Sequence, residues 1–296
     1  MYYNNNTIIF LNGKFEKANE SSTNLFGQTL HYGSGVFEGR RSYDTEKGVK
    51  LFKGKEHYER LKKSCELINI PFNYNVSDLE AQTYELLKQN NFKDAYVRPL
   101  VFCDPNMSLS RPAGVQLMIA AWEWGAYLGD KQLRLMLSSF CRPHPKSTKI
   151  EAKACGHYVN SILATTEAKD KGFDEALLLD CEGFLAEGPG ANLFFEKDEV
   201  LHTPQGGNIL PGITRATVLE ICKELGVEVK QGQYKPEELR DAECAFFCGT
   251  AAEIVGIASV NDHPFKNNWE SSLGRVIQNA YSMLVREKEV SSFILA

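Results

Sequence analysis

The chain alternates between two hydrophobic periods, and this alternation restricts the folds open to it more than any other feature. Residues 95–103 and 115–122 are apolar runs typical of buried strands, whereas apolar residues recur at helical spacing over 58–68 and 79–90. Strands that alternate with helical segments indicate mixed sheet-and-helix domains. We therefore predict an α/β fold of mixed α+β character.

Residues 123–131 contain glycine and follow neither period. We interpret this stretch as the centre of a linker spanning 122–132. The linker would join a small N-terminal α/β domain of residues 1–121 to a large C-terminal domain of residues 133–296. A chain of 296 residues is long enough for two such domains.

Local turn and helix signals refine this outline. Asn12-Gly13 is a dipeptide that favours a tight hairpin, because both positions adopt positive φ readily. A helix is predicted from Thr214 to a stop at Gly226, and a long amphipathic helix over 269–284. The glycine-rich piece Tyr32–Gly35 lies in a segment that looks helical and does not follow a strand, so it is not a dinucleotide-binding loop.

Composition excludes several classes of function. The net charge is -5 and no basic stripe occurs, so a nucleic-acid partner is not expected. The first residues show no signal-peptide pattern, and the apolar stretch 115–128 is interrupted by Glu123 and Gly125, so no membrane segment is expected. The eight cysteines form no CxxC pair and the six histidines show no metal spacing. These features predict a cytoplasmic protein with free thiols and no metal.

Lys153 is the first candidate for chemistry. Small or apolar residues follow it up to Gly156, and a predicted helix begins near Tyr158. Schiff-base chemistry needs a lysine in such a setting, because desolvation lowers the pKa of the amine. An ordinary exposed lysine is the more common explanation for an isolated lysine of this kind.

The other candidates are turns with little side chain. Glu187 lies in a Gly/Pro-rich turn after a predicted buried strand, where its carboxylate could either reach a site or be solvated. The Pro211-Gly212 turn opens a helix, whose N-terminal N–H groups suit a phosphate, although Thr214 could equally be a plain N-cap. A further turn, of small residues, follows Cys248.

Eight motifs along the chain, taken in order, resemble the branched-chain aminotransferase group of the class IV pyridoxal-phosphate-dependent aminotransferases. The motifs are LHYGSGVFEG (30–39), Arg41, AYVRPL (95–100), WGAYLG (124–129), Lys153, EGPGANLF (187–194), LPGITR (210–215) and GTAAEI (249–254). The resemblance spans about residues 8–287. It implies a fold-type IV enzyme of two α/β domains with pyridoxal 5'-phosphate in the cleft between them.

The resemblance also implies roles for the cofactor ligands. Lys153 would bind the cofactor covalently and move the proton between substrate Cα and the cofactor. Glu187 would pair with the pyridine nitrogen, which keeps the ring protonated and able to accept carbanion charge. Tyr158 would donate to the phenolic oxygen.

The cofactor phosphate would lie among one arginine, two backbone groups and one hydroxyl. In the resembled family pattern these are Arg41, the backbone of Ile213 and Thr214, and the side chain of Thr250. An arginine forms a charge-assisted fork with phosphate.

The substrate would be held by a second set of residues. Tyr96, with the backbone of Thr250 and Ala251, would bind the α-carboxylate, and Arg98 would bind the distal carboxylate of glutamate. Residues i and i+2 of a strand point to one face, so Tyr96 and Arg98 can share a pocket. An apolar side-chain pocket would be lined by Tyr32, Phe37, Trp124 and Tyr127.

The implied reaction is transfer of an amino group between leucine, isoleucine or valine and 2-oxoglutarate, giving branched-chain 2-oxo acids and glutamate. A homodimer or larger homo-oligomer is implied, with a loop of the partner completing the pocket. Cys155, His157 and Ala191 depart from the pattern of some family members, beside the expected ligands, and bear on substrate preference.

Three alternatives remain open from the sequence. One is another reaction on the same cofactor, namely D-amino-acid or (R)-amine transamination or an aminodeoxychorismate lyase reaction, against which Arg98 argues. Another is a cofactor-binding protein without turnover, against which the set Lys153, Glu187 and Arg41 argues. The third is a purely structural protein.

Overall fold

The computed structural model describes residues 2–125, 128 and 131–287. The chain divides into two compact units. Unit 1 comprises Met1–Gly125 and Ala152–His157, and unit 2 comprises Ala126–Glu151 and Tyr158–Ala296. The domain division proposed from the sequence differs from these units chiefly in the segment Ala152–His157.

The described residues of unit 1 form a seven-stranded antiparallel sheet and three α-helices. The strands are β1 (Ile8–Leu11), β2 (Lys14–Lys17), β3 (Gly35–Phe37), β4 (Arg40–Thr45), β5 (Gly48–Leu51), β6 (Ala95–Cys103) and β7 (Val115–Trp122). The helices are α1 (Gln28–Tyr32), α2 (Gly54–Leu67) and α3 (Val76–Gln89). The strand order is β2-β1-β7-β6-β4-β5, and β3 pairs with β6. The predicted strands over 95–103 and 115–122 are confirmed.

Two local signals order unit 1, of which the Asn12-Gly13 hairpin was predicted from the sequence. Asn12 and Gly13 have φ angles of 49° and 89°, and they join β1 to β2 in a tight hairpin. The Asn75 side chain caps α3 by accepting hydrogen bonds from the backbone of Ser77 and Asp78. The apolar faces of α2 and α3 form one core with the inward face of the sheet.

The helical interpretation of Tyr32–Gly35 is wrong beyond its first residue. Helix α1 ends at Tyr32, Gly33 adopts the left-handed conformation with φ 69°, and Gly35 begins β3. A Cβ at Gly33 would lie 2.8 Å from the Cα of Gly156. The glycine therefore permits a close backbone approach as well as the turn.

Hydrogen bonds explain why Ala152–His157 belongs to unit 1. The N–H of Phe37 donates to the carbonyl of Lys153 at 3.1 Å, and the N–H of Gly156 donates to the carbonyl of Gly33 at 3.1 Å. The N–H of Lys153 donates to Ser64 Oγ on α2 at 3.0 Å. These bonds fix the backbone on both sides of Lys153 against β3 and α2.

Unit 2 contains an eight-stranded mixed sheet. Its strands are β8 (Leu133–Cys141), β9 (Glu175–Leu179), β10 (Asn192–Lys197), β11 (Val200–Pro204), β12 (Val229–Gly232), β13 (Cys244–Gly249), β14 (Glu253–Val260) and β15 (His263–Pro264). The order is β12-β11-β10-β13-β14-β8-β9, with β15 paired to β14. The pairs β8/β9, β8/β14 and β11/β12 are parallel and the others antiparallel.

Four α-helices accompany this sheet in the described residues. They are α4 (Tyr158–Asp170), α5 (Ile213–Leu225), α6 (Glu238–Asp241) and α7 (Leu273–Val285). Gly226 closes α5 in the left-handed conformation, as predicted. Between 2 and 287, outside the short gaps in the description, no helix is long and apolar enough to cross a membrane.

The long helix predicted over 269–284 is wrong at its start. Trp269–Ser271 is a 3₁₀ turn, and α7 begins after Ser272, whose hydroxyl accepts a hydrogen bond from the backbone of Arg275. The ring of Trp269 is buried against Gly256 and Gly274, neither of which leaves room for a Cβ. Packing of this indole on the sheet displaces the helix start.

Candidate active site

Lys153 lies half-buried in unit 1. Its Nζ is 5.4 Å from the centre of the Phe37 ring, and its backbone is fixed to β3 and α2 as described above. The following residue, Ala154, forms an isolated bridge with Val36. Two residues after the lysine, burial raises the pKa of the Cys155 thiol to about 11. The lysine is therefore held on an ordered, largely apolar segment, as the sequence predicted.

Tyr96 and Arg98 lie on the same face of β6, as their spacing predicted. Arg98 Nη2 donates to the hydroxyl of Tyr96 at 3.0 Å. The guanidinium carbon lies 4.5 Å from the centre of the Phe37 ring and 5.7 Å from that of Trp122. Arg98 Nε and Trp122 Nε1 are buried without a hydrogen-bond partner in the described chain. An aromatic wall that holds a cation and two unpaired donors suits a ligand with both apolar and anionic parts.

Trp124 extends this wall. Its ring meets that of Tyr96 edge to face at 4.9 Å and that of Trp122 at 5.8 Å. Tyr32 is 46% exposed, and its hydroxyl donates to the carbonyl of Met107. Tyr127, predicted to line the same pocket, lies outside the described residues.

Arg41 is buried on β4 beside the same wall. Its Nη1 donates to the carbonyl of Trp124 and its Nη2 to the carbonyl of Gly125, both at 2.8 Å. These two bonds fix the guanidinium and hold the backbone that follows β7 in place. The arginine is thus an ordered cation in unit 1.

Unit 1 also holds a buried charged cluster that the sequence interpretation missed. Arg60 donates from Nε to Glu38 Oε1 at 2.6 Å and from Nη2 to Glu38 Oε2 at 2.8 Å. His57 Nδ1 lies 2.7 Å from Glu38 Oε2. The usable signal was the i, i+3 spacing of His57 and Arg60 at the start of the helical pattern over 58–68.

Burial and charge act in opposite directions on this cluster. Burial raises the pKa of Glu38, but Arg60 and His57 together outweigh it and hold the pKa well below its usual range. Burial lowers the pKa of His57 to about 4, although Glu38 opposes that shift. Glu38 is therefore ionised and His57 neutral near pH 7.

Glu187 is the corresponding buried carboxylate of unit 2, with only 4% of its surface exposed. Its Oε1 lies 3.0 Å from Arg142 Nε, an ion pair whose geometry is not that of a linear hydrogen bond. The N–H of Leu210 donates to Oε1 and the amide of Asn192 donates to Oε2, both at 3.1 Å. The carboxylate is thus oriented from three sides, and a solvated surface position is excluded.

The three unit 2 motifs converge around this carboxylate. Asn192 Nδ2 also donates to the carbonyl of Leu210, which joins the 187–194 motif to the 210–215 motif. A Cβ at Gly249 would lie 3.0 Å from the carbonyl oxygen of Gly190, so the 249–254 motif also approaches closely. The motifs predicted to act together are therefore neighbours in this unit.

Helix α5 begins at this same place. Its N-cap is Gly212 rather than Thr214, with φ -68° and ψ 130°, and no side chain caps it. Ile213 and Thr214 form the first turn, and Thr214 is buried. An N-terminal turn lacking a side-chain cap presents N–H groups that suit an anion.

Tyr158 and Thr250 complete the residues predicted for unit 2. Tyr158 is the first residue of α4, whose first turn is anchored because Ser161 Oγ donates to the carbonyl of Pro189 at 2.8 Å. Thr250 and Ala251 form the turn between β13 and β14. The Glu187 turn, the α4 start and this turn are thus one neighbourhood of unit 2.

Comparison with known proteins gives a consistent family. The profile of the class IV amino-transferase family matches residues 35–260. A branched-chain-amino-acid aminotransferase of Pseudomonas aeruginosa is 38% identical over 287 residues, covering 95% of this chain and 94% of that protein.

Solved structures agree with the sequence relatives. The branched-chain aminotransferase of the archaeon Thermoproteus uzoniensis with norvaline superposes with a TM-score of 0.91 at 34% identity, covering 96% of each chain. The T.th. branched-chain aminotransferase complexed with N-(5'-phosphopyridoxyl)-L-glutamate has a TM-score of 0.91 at 36% identity, covering 95% of each. On these matched lengths and identities, the chain belongs to the class IV aminotransferase family, beside the branched-chain-amino-acid aminotransferases.

Proposed function

We propose that this chain is a pyridoxal 5'-phosphate-dependent branched-chain-amino-acid aminotransferase. It transfers an amino group between leucine, isoleucine or valine and 2-oxoglutarate, giving branched-chain 2-oxo acids and L-glutamate. The observation that carries the proposal is the buried Glu187 carboxylate, held by Arg142, Asn192 and Leu210, in a chain of the class IV aminotransferase family. The related enzymes solved with norvaline and with a phosphopyridoxyl-glutamate adduct support the substrate classes.

The residues of the chain fit this cofactor. When bound, pyridoxal 5'-phosphate supplies an electron sink for the charge left on Cα when its proton departs. A buried carboxylate suits a protonated ring nitrogen, and the α5 N-terminus suits a phosphate. A Cβ at Gly212 would overlap the Asn192 side chain, and one at Gly249 would lie 3.0 Å from the carbonyl oxygen of Gly190, so both positions disfavour a side chain.

Three side chains would act on the ring and its substituents. Glu187, which pairs with Arg142, would accept a hydrogen bond from the protonated pyridine nitrogen and keep the proton there. Tyr158 would donate a hydrogen bond from its hydroxyl to the phenolic oxygen. Lys153 would hold the cofactor covalently through Nζ, and the amine, when it is free of the cofactor, would take the Cα proton as a general base.

The phosphate would be held by four contributions. Arg41 supplies a fixed positive charge, since its guanidinium is already oriented by two carbonyls. The backbone N–H groups of Ile213 and Thr214 donate from the first turn of α5, and Thr250 donates its hydroxyl. The N-terminus of α5 and the positive charge of Arg41 both favour the phosphate dianion.

The substrate would lie against the aromatic wall of unit 1. Tyr96, with the backbone of Thr250 and Ala251, binds the α-carboxylate. Phe37 and Trp124, with Tyr32 and Tyr127 as predicted from the sequence, would surround an aliphatic side chain, and burying one is worth roughly 1.5–3 kcal/mol. Arg98 pairs with the distal carboxylate when glutamate or 2-oxoglutarate is bound.

The test is the absorbance spectrum of the purified protein with each amino acid alone. Leucine, isoleucine, valine and glutamate should each convert the cofactor from its aldehyde-derived to its amine form, with the matching 2-oxo acid as product. D-alanine and an (R)-amine serve as controls and should not react. Conversion by D-alanine but not by leucine would reject the proposal.

We also assign a homodimer in the cytoplasm. Several large apolar side chains of unit 1 are exposed, including Leu109 at 89% and Leu25 at 72%. An apolar cavity of about 460 Å³ in the same unit is lined by Leu30, Phe102 and Met118, among others. Exposed apolar area of this kind supports burial by a second copy. Eight thiols without a disulfide are typical of a reducing compartment.

A further inference from the structure

Two exposed cysteines meet at the ends of neighbouring parallel strands in unit 2. Cys141 is the last residue of β8, and Cys181 follows the end of β9 by two residues. Their Sγ atoms lie 3.4 Å apart and are not bonded. A register shift between Leu137 and Cys141 brings Cys141 opposite Leu179, so the irregular end of the ladder places the two thiols together.

The remaining six cysteines occupy a different environment. Cys155 is half-buried and the other five are buried. Burial raises the pKa of both Cys65 and Cys222 to about 12, so these thiols stay protonated. Core packing explains the buried cysteines, whereas it does not explain two adjoining thiols at the surface.

The thiol pair adjoins the residue that holds Glu187. The S–H of Cys181 donates to the carbonyl of Arg142 at 3.2 Å. Asn160 Nδ2 donates to the carbonyl of Cys141 at 2.9 Å, and the N–H of Arg142 donates to the carbonyl of Leu179 at 2.8 Å. The side chain of Arg142 is the one that pairs with Glu187. One residue therefore links the thiols to the carboxylate.

We propose that Cys141 and Cys181 form a reversible modification site for small-molecule disulfides of the glutathione type, and that closing their disulfide perturbs the Arg142–Glu187 pair. The second part rests on the function proposed above for Glu187. The first part depends only on the two thiols.

The exchange balances without any further reactant. The Cys141 thiolate attacks one sulfur of the disulfide RS–SR, forming a mixed disulfide and releasing RS⁻. Cys181 then loses its proton and attacks Cys141 Sγ, which breaks the bond to RS and releases a second RS⁻. The protein loses two electrons and two protons, and RS–SR becomes two RSH.

The order of attack follows from the hydrogen bonds. Cys181 keeps its proton because its S–H donates to the Arg142 carbonyl. Burial and the neighbouring Cys141 sulfur raise the pKa of Cys181 in the same direction. Cys141 is therefore the attacking thiol and Cys181 the resolving one.

Disulfide formation changes what surrounds Arg142. A bonded pair lies about 2.05 Å apart, so the sulfurs approach by roughly 1.4 Å from their 3.4 Å separation. Cys181 then has no S–H to donate to the Arg142 carbonyl. We expect Cα proton removal to slow about three- to tenfold, a change in rate that corresponds to the loss of roughly one hydrogen bond.

The chemical test is peptide mapping of the holoenzyme after incubation with oxidised glutathione. Trapping of free thiols with an alkylating agent in denaturant should show one Cys141–Cys181 cross-link, which dithiothreitol reverses, and alkylated Cys65 and Cys222. In Cys181→Ser the reaction should stop with glutathione on Cys141. Alkylated Cys141 and Cys181 in the oxidised wild type would overturn the site.

The second test compares the leucine half-reaction of reduced and oxidised holoenzyme. The expected slowing should be reversed by dithiothreitol and absent in Cys141→Ser. A complete cross-link with an unchanged rate overturns the connection to Glu187. A reduced enzyme that does not react with leucine overturns the proposed function instead, and peptide mapping still decides the thiol pair.

Discussion

Among the described residues, each unit buries a glutamate against an arginine, and the two sites differ in how the carboxylate is held. Glu38 in unit 1 is completely buried and is bound bidentately by Arg60, with His57 as a second, neutral partner. Glu187 in unit 2 lies in a Gly/Pro-rich turn, with a single ion-pair contact to Arg142 and two neutral donors. A buried ion pair is thus no indication of function by itself.

The difference lies in what else meets at each carboxylate. Glu38 is enclosed by side chains of α2, which makes it part of the packing of unit 1. Glu187 adjoins the uncapped N-terminus of α5 and the turn after β13, where backbone N–H groups and small residues collect. We therefore interpret Glu38 as structural and Glu187 as a cofactor ligand.

The largest effect is expected at Lys153, whose backbone is held by the helix that carries His57 and Arg60. Lys153→Ala should fold, because its N–H bond to Ser64 is retained. It should show no borohydride-reducible link to the cofactor and lose activity by at least about a hundred-fold. Lys149→Ala, at an exposed lysine nearby, is the matched control. A reduced adduct on another lysine would end the assignment.

Glu38→Gln should separate stability from catalysis. Removing the charge leaves Arg60 buried without its counter-ion, which costs roughly 3–5 kcal/mol of unfolding free energy. Glu20→Gln breaks the exposed ion pair with Lys17 and should cost at most about 1 kcal/mol. Equal losses for the two variants in urea unfolding would contradict a structural role for Glu38.

Arg98→Met tests the aromatic wall of unit 1. The variant should slow the glutamate half-reaction about ten- to a hundred-fold, because a partly desolvated arginine–carboxylate pair is lost. The leucine half-reaction, followed by the same absorbance change, should fall much less. Equal losses for both substrates would show that Arg98 serves the shared α-carboxylate or the fold.

The smallest effect is a pH dependence of stability from His57. Burial lowers its folded-state pKa to about 4, below the value of about 6.5 in an unfolded chain. The unfolded chain therefore binds more protons in this range, and the unfolding free energy falls by up to about 1.4 kcal/mol per unit as pH drops from 6.5 towards 4.5. His57→Gln should flatten this slope in denaturant titrations, whereas an unchanged slope would assign it to other groups.

Much of the fold follows from periodicity and turn chemistry. The strand over 95–103 and the Asn12-Gly13 hairpin are set by local residues, so sequence reasoning reached them. The start of α7 could not be predicted from the local sequence, because its position depends on Trp269 packing beside Gly256 and Gly274. Contacts between distant segments override the local pattern at such places.

The candidate site likewise has parts that the sequence predicted and parts that it did not. The three unit 2 motifs were predicted to act together, and they are neighbours. Arg142 was not identified, since nothing at residue 142 marks it as the partner of a glutamate 45 positions later. Glu38 was not identified either. Its partners lie on a helix, and periodicity predicts the helix but not the contacts that its side chains make.

The most direct test of the account is the single-turnover rate of Cα proton removal from leucine in Glu187→Gln, measured beside Glu38→Gln. For Glu187→Gln we expect the rate to fall at least about a hundred-fold, with substrate binding nearly unchanged, because the loss falls on the transition state. Folded Glu38→Gln should keep the wild-type rate within about threefold, the change expected when no transition-state contact is lost. Weakened binding with an unchanged rate in Glu187→Gln would contradict the assignment of Glu187 as the ligand of the cofactor ring.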